Sequence, residues 1–142
     1  MGMVNKQIIF RLLNNIDSYI KDLKEIDKIN FDTYSTDIKT QRFVERTLHI
    51  AIEAMFDIAH HIISDERLRE PDSYADAFTV LEENKILTSD FLKTAKLIAQ
   101  FRNKLVHYYE KIDSEMVFTI AKTKRRDFLK YIKMINTWIN KA

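Results

Sequence analysis

The chain has no cysteine, one glycine (Gly2) and one proline (Pro71) in 142 residues. Without cysteine there are no disulfides, zinc–thiolate centres, cysteine-ligated iron–sulfur clusters or thiol nucleophiles, which fits a reducing compartment. Strand-rich folds need glycine at their turns, and phosphate-cradling loops need it where the backbone approaches the ligand. A P-loop or a dinucleotide-binding fingerprint is therefore excluded. No uncharged run approaches the length of a membrane span. Lys6 and Arg11 interrupt the N-terminal stretch, and no small-residue cleavage site follows them. The expectation is a cytoplasmic protein with no membrane association, forming a single domain over residues 1–142 with a core of ordinary size.

Abundant Leu, Ile, Ala, Lys and Glu, with so little Gly and Pro, predict helices. The formal net charge of +2 hides an asymmetry. From Lys93 onward there are 12 Lys/Arg against 4 Asp/Glu, whereas the 92 residues before it carry 11 against 17. A basic C-terminal third suits a phosphate-rich partner, and a solvated helix face is the competing explanation.

Apolar periodicity predicts an all-α fold, an antiparallel up-and-down bundle of about five helices. The first runs from about Val4 to Lys28 on a stripe that includes Ile9, Leu13, Ile16, Ile20 and Ile26. A loop is predicted over Asn30 to Thr36. The second helix, about Asp37 to Ser64, has an apolar surface wide enough for burial on two sides. Ser73 begins the third with a sequence resembling a capping box, Asp76 standing where Glu or Gln is usual. Thr88, Ser89 or Asp90 caps the fourth. Asp113 or Ser114 caps a fifth that continues unbroken to Trp138. Most phenylalanines, including Phe10 and Phe43, fall on apolar stripes and are read as core.

The segment Arg102-Asn103-Lys104-Leu105-Val106-His107-Tyr108-Tyr109 concentrates reactive groups. Asn103 and His107 are four apart and share a helix face, so the amide can orient the imidazole. Arg102 and His107 are about 140° apart on a regular helix, so converging on one phosphate requires a local distortion or a second subunit. RNA cleavage needs little more than these groups. The 2′-hydroxyl sits beside its own phosphate, a histidine can move the proton, and an arginine fork can stabilise the charged phosphorane. An Arg-x4-His pair is also common by chance in helical proteins, and a histidine near a helix end is often structural.

Arg102-x4-His107-x-Tyr109 resembles the R-x4-H-x-Y motif of HEPN ribonucleases, specifically the HepT-like toxins. Leu48-His49-Ile50-Ala51-Ile52-Glu53-Ala54 with Asp57-Ile58-Ala59-His60-His61-Ile62-Ile63 resembles the family's second helix. Pro71-x-Ser73-Tyr74-x-x-Ala77-Phe78-x-x-Leu81 resembles its linker and third helix. Similarity extends over roughly residues 5–140. The family usually has glycine where the third helix ends; here Asn84 stands in that region, a residue that tolerates the left-handed conformation. The resemblance implies a dimeric helical bundle, with Arg102 and His107 of both subunits lining a composite cleft. It also implies a cofactor-free, metal-independent endoribonuclease acting as the toxin of a type VII toxin–antitoxin system. The partners it implies are RNA, a second copy of the chain, and a cognate nucleotidyltransferase antitoxin of the MntA type. That antitoxin would attach AMP to Tyr109, placing negative charge where the RNA phosphate sits.

His49, Glu53, Asp57 and His61 form a polar stripe with a spacing of four. As a metal site it fails, because the four span about three turns of one helix. The stripe faces solvent or the dimer cleft, and in the cleft Glu53 and Asp57 would hydrogen-bond motif residues. Lys104 within the motif, and the cluster Lys122, Lys124, Arg125 and Arg126, are candidate RNA contacts; for the cluster a solvated face is the alternative. Two other functions compete with a ribonuclease: a non-catalytic helical partner presenting RNA or a nucleotide to a nucleotidyltransferase, and a plain oligomerising bundle.

Overall fold

The helix starts follow from capping side chains. In a computed structural model describing residues 4–106 and 111–141, the described residues form helices and no strand. These are α1 (Lys6–Leu23), a 3₁₀ turn (Lys24–Lys28), α2 (Phe31–Thr36), α3 (Ile38–Asp65), α4 (Tyr74–Glu83), α5 (Ser89–Leu105), α6 (Ser114–Thr123) and α7 (Arg125–Ile139). Asn5, Asn30, Asp37, Ser73, Thr88 and Asp113 each accept a backbone N–H of the first turn through the side chain, satisfying a donor the helix leaves unpaired. The capping box is only half made: Asp76 accepts from the Asp72 N–H and pairs with Arg69.

Two expectations are corrected. The predicted loop at Asn30–Thr36 holds helix α2, because Asn30 caps it and Phe31 and Tyr34 pack their rings against Phe118, with centroids 5.7 and 4.9 Å apart. The predicted fifth helix is two helices broken at Lys124 (φ −112°, ψ 11°). Tertiary anchors flank the break. Arg125 makes a bidentate pair with Asp27 (3.0 and 2.7 Å) and donates to the Leu23 carbonyl, while Lys122 Nζ donates to the Ile29 carbonyl.

The end of α4 also differs. Asn84 keeps a negative φ of −100°, and the left-handed residue is Lys85, at φ 61°. Ile86 N–H reaches the Leu81 carbonyl and Lys85 N–H the Glu82 carbonyl, a Schellman closure usually built on glycine. Arg67 (φ 55°) closes α3 in the same way. Each non-glycine residue there costs about 1–2 kcal/mol.

Helix α3 is central and contacts α1, α2, α4, α5 and α6. Both flanks of its apolar surface are therefore covered from within the chain. Ile9, Leu13, Ile16, Ile20 and Leu23 of α1 meet Val44, Leu48, Ile52, Met55 and Ile62 of α3 in one buried cluster, joined by Phe128, Tyr131, Ile135 and Ile139 of α7. Each such side chain, fully buried, stabilises the fold by about 1.5–3 kcal/mol. Phe10 and Phe43 stand outside that core, correcting their assignment to it. No helix among the described residues is long and apolar enough to cross a membrane.

Two buried tyrosines test the packing with opposite signs. The Tyr131 hydroxyl donates to the Met55 carbonyl at 2.9 Å, whereas the Tyr34 hydroxyl is buried without a partner among the described residues. Burial also pushes the Tyr34 phenol up to about 12. An unsatisfied buried polar group costs about 1–3 kcal/mol, and a made hydrogen bond contributes about 1 kcal/mol. Thermal or urea unfolding should show Tyr34→Phe more stable than wild type and Tyr131→Phe less stable. A destabilised Tyr34→Phe would mean that its hydroxyl is satisfied in solution.

Candidate functional site

The apolar positions of α5 that face the core, Phe91, Ala95 and Ala99, recur every fourth residue, and Arg102 falls three beyond Ala99 at the edge of that stripe. Its side chain is consequently only 19% exposed and turns toward α3. There Arg102 Nε donates to Glu53 Oε1 at 2.7 Å, and the same oxygen lies 3.3 Å from Nε2 of His49. The guanidinium carbon sits 4.6 Å from the centroid of the Tyr74 ring. Tyr74 packs on Phe56 (4.6 Å) and meets the edge of His60 (5.9 Å).

A second arginine secures Tyr74. Arg69, in the α3–α4 connection, pairs with Asp76 (2.8 and 2.9 Å) and with Glu83 (2.8 and 3.1 Å), fixing that connection to α4, whose first residue is Tyr74. The Arg69 guanidinium holds the Asp76 carboxyl well below the usual carboxylate range. The pairing is therefore complete above the ordinary value of 3.8 and is lost only as pH falls through the depressed one.

The arginine is thus clamped by its inner nitrogen and supported from one face, while its two terminal nitrogens have no hydrogen-bond partner among the described residues. This leaves the planar fork, whose geometry matches two phosphate oxygens, uncommitted among the described residues. The cation–π contact adds roughly 0.5–2 kcal/mol of preference for that pose.

Of the residues singled out in the sequence, Glu53 and Arg102 are brought together. Asp57, expected to bond motif residues as well, is exposed and makes no such bond among the described residues, because it projects one turn beyond Glu53. Asn103 and Lys104 are exposed on the last turn of α5. His107 and Tyr109 lie outside the described residues. The basic cluster does not form one patch. Lys122 and Arg125 are engaged with the Ile29 and Leu23 carbonyls and Asp27, contacts that join α6 and α7 to the end of α1 and the 3₁₀ turn after it. Lys124 and Arg126 alone of the four are exposed.

The sequence reading missed Tyr74 as a support for Arg102. It also missed a groove of about 820 Å³ beside the motif, where Arg42, Arg46 and His49 of α3 face Val106, Lys111 and Ser114. A separate groove of about 670 Å³ between α5 and α7 contains no motif residue.

Comparison with known proteins gives one consistent result. The family model described as "Ribonuclease HepT-like" matches residues 16–135. The tRNA nuclease HepT of Aphanizomenon flos-aquae is 31% identical over 141 residues, covering 98% of this chain and 95% of that protein. The mRNA nuclease HepT of Shewanella oneidensis is 29% identical over 126 residues, covering 87% and 95%. Among solved structures, the tri-AMPylated Shewanella oneidensis HEPN toxin in complex with MNT antitoxin superposes with a TM-score of 0.84 at 27% identity, covering 95% of this chain and 99% of that one.

Proposed function

Because the chain belongs to the HepT-like ribonuclease family, we propose that it is the toxin of a toxin–antitoxin pair, a metal-independent endoribonuclease with Arg102 and His107 as its catalytic residues. His107 moves the proton between the 2′-hydroxyl and the leaving 5′-oxygen. Arg102 takes up the charge that develops on the phosphorane. Asn103 orients the imidazole. The internal nucleophile is what lets this chemistry run without a metal.

The observation that carries the reading is the Arg102 clamp. Glu53 holds Nε at 2.7 Å, Tyr74 lies against the guanidinium, and the terminal nitrogens have no hydrogen-bond partner among the described residues, which suits them to a substrate phosphate. Structural arginines at helix ends commonly spend those nitrogens on carbonyls or carboxylates, as Arg125 does. A homodimer with residues 1–142 as one domain per subunit, acting in the cytoplasm, places two such clamps around one cleft and supplies the second histidine that a single helix does not readily aim. The antitoxin is a nucleotidyltransferase that silences the enzyme by attaching AMP to Tyr109, as the tri-AMPylated relative suggests. The added phosphates then occupy the place of the substrate's.

Purified protein incubated with cellular RNA in excess EDTA should cut it. After co-expression with the cognate nucleotidyltransferase, intact mass should rise by whole AMP units on a peptide containing Tyr109, with cleavage lost in proportion. RNA left intact by unmodified protein would instead favour the non-catalytic partner.

A further inference from the structure

The groove beside the motif joins two cations that have no ion-pair partner among the described residues. Arg42, on its rim, is neutralised by Glu45 at 3.0 Å. Arg46 and Lys111 are exposed and form no ion pair among the described residues. The rest of the lining includes the aliphatic side chains of Ile38, Leu105, Val106 and Ile112. A groove with a cation on each wall and aliphatic side chains beside them matches a single nucleic-acid strand, whose phosphates seek charge and whose sugars and bases seek apolar cover.

Its position relative to Arg102 is fixed by α3. Arg42, Arg46, His49 and Glu53 are spaced by fours and threes and so share one face of that helix. From Arg46 to Glu53 the helix rises about 10 Å, two turns. His49 lines the groove and touches the same Glu53 oxygen that Arg102 does. The groove and the arginine clamp are therefore consecutive stretches of one surface, and a strand entering the groove runs on to Arg102. An acidic protein segment would meet the same two cations, but it gains nothing from continuity with a phosphate-directed arginine.

We infer that Arg46 and Lys111 form a backbone-phosphate subsite that holds the RNA strand next to the phosphate addressed by Arg102. The inference rests on the proposed ribonuclease function, and it assigns the two residues to binding, not to the chemical step.

The probe is a labelled single-stranded oligoribonucleotide with 2′-O-methyl groups throughout, which lacks the nucleophile for cleavage and so reports binding alone. Its affinity for the full-length protein is measured by anisotropy across a salt series. For single strands the slope of log K against log salt falls by about 0.7 for each phosphate contact removed. The double variant R46A/K111A should bind more weakly and show a slope shallower by about 1.4, and Arg46→Lys with Lys111 intact should keep the wild-type slope. On the unmethylated strand the double variant should raise KM with kcat little changed. Circular dichroism and melting temperature confirm that the variants are folded. An unchanged slope and affinity in the folded double variant overturns the subsite, as does a selective loss of binding to the nucleotidyltransferase with RNA binding intact. Failure of the underlying reading looks different: wild-type protein would bind the methylated strand with the Arg46- and Lys111-dependent slope yet leave the unmethylated strand uncut.

Discussion

Arg102→Ala should lower the single-turnover rate of RNA cleavage by about 10²- to 10³-fold, the range typical of removing one preorganised donor to a developing anion, or about 2.7–4 kcal/mol of transition-state stabilisation. Arg102→Lys should recover little. A lysine has no inner Nε to hold against Glu53 while presenting two further nitrogens to phosphate, and its ammonium is a point charge without a plane to lie over Tyr74. The melting temperature should change only modestly, because the Glu53 side chain is 33% exposed and rehydrates once its partner is gone. A rate within threefold of wild type in Arg102→Ala would place the catalytic charge elsewhere and return Arg102 to a structural tie between α5 and α3. His107→Ala should cause a comparable loss, and the double variant should be little worse than either single one, since residues acting as one unit are not additive.

The half of this clamp that lies along one helix is legible in the sequence. Glu53 belongs to a polar stripe with a spacing of four on an otherwise apolar helix, and that pattern alone marks it as facing something other than lipid-like core. Its partner across 49 residues of sequence is not encoded in any local period, and neither is the arrival of Tyr74 beneath Arg102, which depends on the α3–α4 connection being drawn in by Arg69. The caps Ser73, Thr88 and Asp113 were readable because a short polar side chain ahead of an apolar period has one dominant local use. The break at Lys124 was not, because Thr123-Lys124-Arg125 contains no glycine or proline. What favours the break is the reach of Arg125 to Asp27, a tertiary contact that competes with helix continuation. The same contact explains why a run of four cations within five residues is not one continuous exposed surface, since it engages Arg125 and leaves Lys124 and Arg126 exposed. Charge density along the chain says nothing about which cations are already neutralised in the fold. Arg46, by contrast, attracts no attention in the sequence, since it is one basic residue among several, and it becomes significant only because Glu45 is committed to Arg42.

Glu53 allows positioning to be separated from chemistry. Glu53→Ala removes the acceptor for Arg102 Nε and the contact to His49 together, leaving the guanidinium to wander over the Tyr74 ring. A misplacement of about 1 Å at a reacting centre costs about 10²-fold, so kcat should fall by roughly 10- to 100-fold. KM should fall or stay level, because deleting a carboxylate raises the local positive potential that the RNA backbone meets. Glu53→Gln keeps an oxygen acceptor at the same reach without the charge, and should restore most of kcat while retaining the lowered KM. A merely structural role predicts a different pattern: both variants would lower the melting temperature, and activity would follow the folded fraction with no divergence of kcat from KM. Steady-state kinetics on a single RNA oligonucleotide, read beside thermal melts of the three proteins, separates the two. If Glu53→Ala kept wild-type kcat, Arg102 would need no clamp, and the 2.7 Å contact would be a resting-state pairing that substrate displaces.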